Sequence, residues 1–180
     1  MSRTTLRPVL HAVSAVPLVL GLLSWDLLRG AFSGAAIVAI AFEILRLRHP
    51  GLRNWLAELV PVFRPREARR PSGAMWLALG YAVAVWLPPP AALVGILSGA
   101  LADPAASLVG GRWGSGKPKS WIGTAAAATV TSGVAFLVGF GPVPAASAGL
   151  AAAALERWPA GLDDNLLVAP GTAAAVWLLA

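Results

Sequence analysis

The chain has no cysteine, one tyrosine, two methionines and only two histidines, His11 and His49. Without cysteine there is no disulfide framework, no thiolate metal site and no cysteine nucleophile. Two histidines are too few for a His-rich zinc site. Charge is also scarce. Of 180 residues, 12% are charged and 57% are hydrophobic, where soluble domains carry about 25% charged residues. Disordered chains combine high charge with low hydrophobicity, and this composition is the reverse. Mean hydropathy is +0.71.

What charge there is has a pattern. There are 14 basic and 8 acidic residues, a net charge of +6. In a soluble domain that excess would point to nucleic acid. Here whole intervals lack Asp, Glu, Lys and Arg: 8–25 (18 residues), 71–102 (32 residues) and 120–155 (36 residues). A membrane-spanning helix needs about 20 mostly apolar residues, so the two longer intervals hold more than one span each. Pro88-Pro89-Pro90 divides the first, and the stretch from Gly139 to Pro144 divides the second. The apolar runs are continuous rather than alternating, which favours helices over a β-barrel.

These boundaries predict an all-α, polytopic membrane helix bundle forming one domain over residues 1–180. About seven spans are expected near 8–25, 30–45, 72–88, 91–111, 121–140, 143–157 and 164–180. Frequent Gly (19) and Pro (15) suit close helix packing in lipid. Residues 52–63 differ. Leu52, Trp55, Leu56, Leu59, Val60 and Phe63 recur at helical spacing, with Arg53, Asn54 and Glu58 opposite. That predicts an amphipathic interfacial helix ending near Pro61. It serves either as a plain connector or as a platform at the mouth of a lipid site.

Positive charge marks the cytoplasmic side. With the N-terminus inside, 12 basic residues fall in inside segments, Arg157 sits at their edge, and Arg29 alone lies outside. Seven of the eight tryptophans fall near span ends, as in an aromatic belt. We therefore expect an integral protein of a bacterial cytoplasmic membrane, its N-terminus and its site facing the cytoplasm. Arg3 and Arg7 before an apolar run also fit a signal peptide, but His11 and Pro17 interrupt the run.

An ionisable side chain inside a span costs at least ~2.5–3.5 kcal/mol on insertion scales, which makes it a functional candidate. Asp103 is the clearest case. It precedes Arg112 by nine residues, about 13 Å from the inner end at 1.5 Å per residue. Pro104 follows it, so a kinked or broken helix is expected there. Glu43 with Arg46 reads either as an interfacial ion pair or as part of a site. Glu67, among Arg64, Arg66, Arg69 and Arg70, reads as a solvated charge cluster. Glu156, Asp163 and Asp164 gather at an inner span end, and paired carboxylates there suit Mg²⁺, a hard cation with oxygen ligands.

The segment from Gly110 to Ser120 holds four glycines with Arg112, Lys117 and Lys119. Successive backbone N–H groups of such a loop form an anion nest, and the bases suit phosphates. Gly111 to Lys117 fits G-x-x-x-x-G-K, but Pro118 stands where a P-loop has Ser or Thr and no strand precedes it. A plain inside-positive turn has the same composition. Together, these groups on one face suit an anionic nucleotide, Mg²⁺ and a lipid alcohol, and hence phosphoryl or nucleotidyl transfer to a lipid.

The run Ala102-Asp103-Pro104-Ala105-Ala106-Ser107-Leu108-Val109-Gly110, followed by Arg112, Gly114 and Lys119-Ser120-x-x-Gly123, resembles the signature of the CTP-dependent lipid kinases. Dolichol kinase, phytol kinase and the CTP-using diacylglycerol kinase form that family. Three further stretches resemble it in the same order: Arg7 with His11, Arg66-Glu67 with Ser72-Gly73-Ala74, and Glu156 with Asp163-Asp164-Asn165 and Pro170. Pro8 stands where the family has Lys, and Ala102 where it has Gly. The resemblance implies transfer of the γ-phosphate of CTP, with Mg²⁺, to the hydroxyl of a polyprenol, a phytol-like alcohol or diacylglycerol. It implies Asp103 and Asp164 as catalytic, and Asp103, Asp163 and Asp164 as metal-binding. It implies a nucleotide site of Ser107, Gly110, Arg112, Gly114, Lys117, Lys119, Ser120 and Asn165.

Two other readings stand beside this one. A phosphatidate cytidylyltransferase has a related Asp…Gly-Arg…Gly stretch, but its Glu after the basic loop and its long C-terminal signature are missing here. A transporter or non-catalytic membrane protein would place its polar groups near the midplane of repeated halves, and no repeat is evident. The expected partners are CTP, the lipid alcohol and membrane lipid. No nucleic acid and no obligate protein partner is expected.

Overall fold

A computed structural model describes residues 3–59, 67, 69–114, 119–159 and 161–180. All regular structure among them is helical: α1 (Arg3–Val13), a 3₁₀ segment (Val16–Leu22), α2 (Trp25–Arg48), α3 (Pro50–Leu59), α4 (Gly73–Ala84), α5 (Pro89–Trp113), α6 (Trp121–Val138), α7 (Pro142–Arg157) and α8 (Asp164–Leu178).

Local chemistry sets the boundaries. Side chains of Ser24, Ser72, Ser120 and Asp163 cap α2, α4, α6 and α8 by accepting from backbone N–H groups of the first turn. Prolines open α3, α5 and α7, where a missing N–H costs nothing. Gly139 ends α6 in the left-handed region at φ 106°, a conformation that glycine adopts without steric cost. In α2, Asp26 in the first turn and Arg46 and Arg48 in the last complement the helix dipole.

Two expectations about helix continuity need correction. The first span is not one helix. It divides after Val13 into α1 and the 3₁₀ segment, with Pro17 in the first 3₁₀ turn; proline lacks the N–H that would continue an α-helix. Conversely, α5 is not broken at Pro104 and stays helical over all 25 residues. The amphipathic segment is helical as α3 up to Leu59; residues 60–63 of that expectation lie outside the described residues.

α5 is the central element. It packs on α6, α8 and α1, while α7 packs on α6 and α8, and α4 on α2 and α8. One core cluster joins Leu28 and Phe32 to Leu77, Tyr81, Ile96 and Ala169. A second joins Ala91 and Val94 to Ala135, Ala145, Ala148 and Val176. Alanines fill much of the interior; Ala127, Ala135, Ala148 and Ala173 are 0% exposed. Many other large apolar side chains point outward, with Leu22 at 85% and Leu137 at 87% exposure. Water disfavours such a surface, whereas lipid accommodates it and leaves small residues to mediate helix contact. Helices α2, α5 and α6 are long and apolar enough to cross a membrane. Helices α4, α7 and α8 have 12, 16 and 15 residues, short of the ~20 that one straight crossing needs.

Candidate functional site

The N-termini of α6 and α8 and the C-termini of α5 and α7 meet at one end of the bundle. Ser120 caps α6 by accepting from Gly123 N–H at 3.1 Å. The residue before it, Lys119, holds φ 61°, the left-handed region, which is strained for a side chain with a Cβ and clusters at functional sites. That backbone aims the Lys119 amine across to α7 and α8. Nζ donates to the Glu156 carbonyl and to Asp164 Oδ2 at 2.9 Å. In return, Arg157 Nη1 donates to the Lys119 carbonyl at 2.8 Å. The Arg157 guanidinium lies 3.6 Å above the Trp121 ring, a cation–π contact that keeps it in place. Lys119 is thus clamped onto the acidic start of α8.

Glu156 completes the cluster. Its side chain is buried and accepts from Thr124 Oγ1 at 3.2 Å. It feels the positive charge of Lys119 and the negative charges of Asp164 and Asp103. Asp103, one-third exposed on α5, faces buried His11 of α1 with Oδ2 to Nε2 at 3.7 Å. Lys119, just before α6, thus joins Glu156 of α7 and Asp164 of α8, while Asp103 of α5 pairs with His11 of α1 and lies near enough to Glu156 to act on it electrostatically.

The other sequence candidates divide. Asp163 caps α8, its Oδ1 accepting from Asn165 N–H at 3.1 Å and from Asn165 Nδ2 at 2.6 Å. Gly110, Gly114 and Ser120 form a tight crossing: a Cβ on Gly110 or on Gly114 would come within 2.7 Å of Ser120 Oγ. Ser107 is exposed on α5, and Arg112 is exposed beside the Trp113 ring at 5.3 Å. Lys117 lies outside the described residues.

Oxygen donors fit a hard cation, but among the described residues no three His, Asp or Glu side chains gather as a cage. A Mg²⁺ ion here would have to be held through one or two carboxylates and completed by substrate phosphates. Asp164 and Asp103 are the carboxylates open enough to hold it, at 20% and 35% side-chain exposure.

A second polar cluster corrects the reading of Glu67. It is not solvated but 4% exposed, and its Oε1 accepts from Gly73 N–H at 3.2 Å, at the start of α4. Arg46, 2% exposed, pairs with Glu43. It also donates to the Glu67 and Arg70 carbonyls at 3.0 and 2.9 Å. Glu43 in turn accepts from Ser72 N–H at 2.8 Å and from Ser72 Oγ at 3.2 Å. This network ties α2 to α4. The i,i+3 spacing of Glu43 and Arg46 marked the pair, but nothing local marked its links to residues 67–72. Sequence reasoning also missed Thr124 and the role of Arg157; spacing alone places neither beside Glu156 or Lys119.

No protein-family model, no curated protein and no solved structure matches the chain.

Proposed function

We propose that the chain is a seven-pass membrane protein that transfers the γ-phosphate of CTP, with Mg²⁺, to the hydroxyl of a lipid alcohol at the cytoplasmic face. The observation that carries this reading is the Lys119 clamp. It joins Lys119 to Asp164, 45 residues away, with Asp103 near enough to act electrostatically on Glu156. The distribution of basic residues supports the orientation. The resemblance of the Asp103–Gly123 and Glu156–Asn165 stretches to the CTP-dependent lipid kinases supports the donor.

Each group has a task in this reading. Lys119 would meet a phosphate oxygen in place of Asp164, and Asp164 would then be free to hold Mg²⁺. Mg²⁺ supplies neutralisation of charge on the phosphate oxygens. Asp103 accepts the proton of the lipid hydroxyl, and His11 holds Asp103 in position. The hydroxyl oxygen bonds to the γ-phosphorus while the bond to the bridging oxygen of CDP breaks, so CDP leaves with that electron pair. Positioning and charge neutralisation provide most of the acceleration in such transfers.

The nucleotide product tests this reading. Purified protein with CTP, Mg²⁺ and a lipid alcohol should release CDP. Pyrophosphate from phosphatidate and CTP would instead mark a cytidylyltransferase. Neither product, together with no thermal shift from Mg-CTP, would favour a transporter or a non-catalytic protein.

A further inference from the structure

A cavity of about 420 Å³ lies between α1, the 3₁₀ segment, α2 and α4. It falls within the roughly 300–1,000 Å³ range of small-molecule sites. Its walls are mostly apolar, with Leu10, Pro17, Phe32 and Leu77 among them. Two pairs of alanines at i,i+4 spacing, Ala31 and Ala35 on α2 and Ala74 and Ala78 on α4, also line it. Ala35 and Ala74 are exposed, and the same two helices carry exposed Ile37, Val38 and Val83, so the lining reaches the apolar outer surface at small side chains. Tyr81 lines the wall eight residues along α4 from Gly73, about 12 Å by helix rise. It is fixed edge-to-face on Phe32 at 5.4 Å and hydrogen-bonded to Ser14 at 2.8 Å.

His11 links this cavity to the chemistry. It lines the cavity and faces Asp103 of α5. Asp103 is not among the lining residues, so a hydroxyl held at His11 from the cavity side reaches the carboxylate through the imidazole that stands between them.

We propose that this cavity holds the apolar chain of a single-chain lipid alcohol, entering where the alanines reach the surface, with its hydroxyl at His11 of the His11–Asp103 pair. The cavity has room for one chain and meets the outer surface at alanines, so a two-chain diacylglycerol is a poor occupant. The proposal rests on the lipid-kinase reading for its ligand class. Its test needs no nucleotide.

A photoreactive isoprenoid alcohol is added to the purified full chain in detergent, without CTP, and the crosslinked residues are mapped by mass spectrometry. Adducts on α2 and α4 around residues 31–35 and 74–81 are expected. Unlabelled isoprenoid alcohol should compete and diacylglycerol should not. Ala78→Leu and, independently, Ala31→Leu should each cut labelling on the order of tenfold, the scale of one misfit side chain in a packed pocket. Mapping on the unaltered chain stands even if a filled variant fails to fold. Adducts elsewhere, equal competition by diacylglycerol, or undiminished labelling in folded filled variants would overturn the proposal. Labelling in the cavity without phosphoryl transfer from CTP would retire the kinase reading and keep the site. Transfer with no labelling there would do the opposite.

Discussion

At the residue scale, the proposed function rests on a few charged side chains. Asp103 is the first. Replacing it with Asn removes the proton acceptor but leaves a similar shape beside His11. Phosphoryl transfer should fall about 10²–10⁴-fold, the usual worth of general-base catalysis, with an unchanged melting temperature. Full activity in a folded Asp103→Asn protein would remove Asp103 from the mechanism. Lys119 is the second. Lys119→Met removes a charge-assisted contact worth roughly 1.5–3 kcal/mol, so kcat/KM for CTP should drop about 10–100-fold; steady-state kinetics would show it, and an unchanged value would contradict the phosphate role. Arg46 behaves differently. It sits at 2% exposure with a carboxylate and two carbonyls around one guanidinium. Removing one partner of a buried ion pair costs about 3–5 kcal/mol, so Arg46→Met should unfold far below wild type in a detergent melt. Arg46→Lys should be intermediate, because one ammonium cannot span all three acceptors. Melting unchanged in Arg46→Met would refute the network.

At the element scale, the signature glycines serve helix contact. The Gly110 backbone lies against Ser120, which is also the α6 cap. In Gly110→Ala, either the cap rotates away or the helices part, a cost of about 1–3 kcal/mol. Ser120→Gly should recover part of it, and a double-mutant cycle would show the coupling. At Gly111 an added Cβ would meet nothing within 4 Å, so Gly111→Ala should be tolerated; equal losses at 110 and 111 would contradict the close crossing. The residue pattern made helix ends legible because they depend on neighbours: Ser-x-x caps, prolines at first turns and Gly139 all act within a few residues. The division after Val13 was not legible, because His11 and Pro17 interrupt an otherwise apolar run without showing whether it bends, and Pro104 by itself does not show whether its helix continues. In the site, Asp103, Asp163 and Asp164 stood out through their rarity in a chain of 8 acids. Their partners did not. His11 to Asp103 and Lys119 to Asp164 are 92 and 45 positions apart, and only the fold joins them.

At the scale of the whole molecule, the scarcity of charge and the many outward large apolar side chains go with an interior filled largely by alanine. The absence of native cysteine makes the bundle's orientation directly measurable. In intact cells, a membrane-impermeant thiol reagent should label Arg29→Cys and not Arg112→Cys. The reverse pattern would invert the topology. The central claim is transfer of a phosphate from nucleotide to lipid. Its most direct test supplies CTP labelled at the γ-phosphate, with ATP as control, to the purified protein with Mg²⁺ and a panel of lipid alcohols. The account predicts label in a lipid monophosphate, dependent on CTP and lost in Asp103→Asn. No label in any lipid from a folded preparation, or equal label from the Asp103→Asn protein, would contradict it.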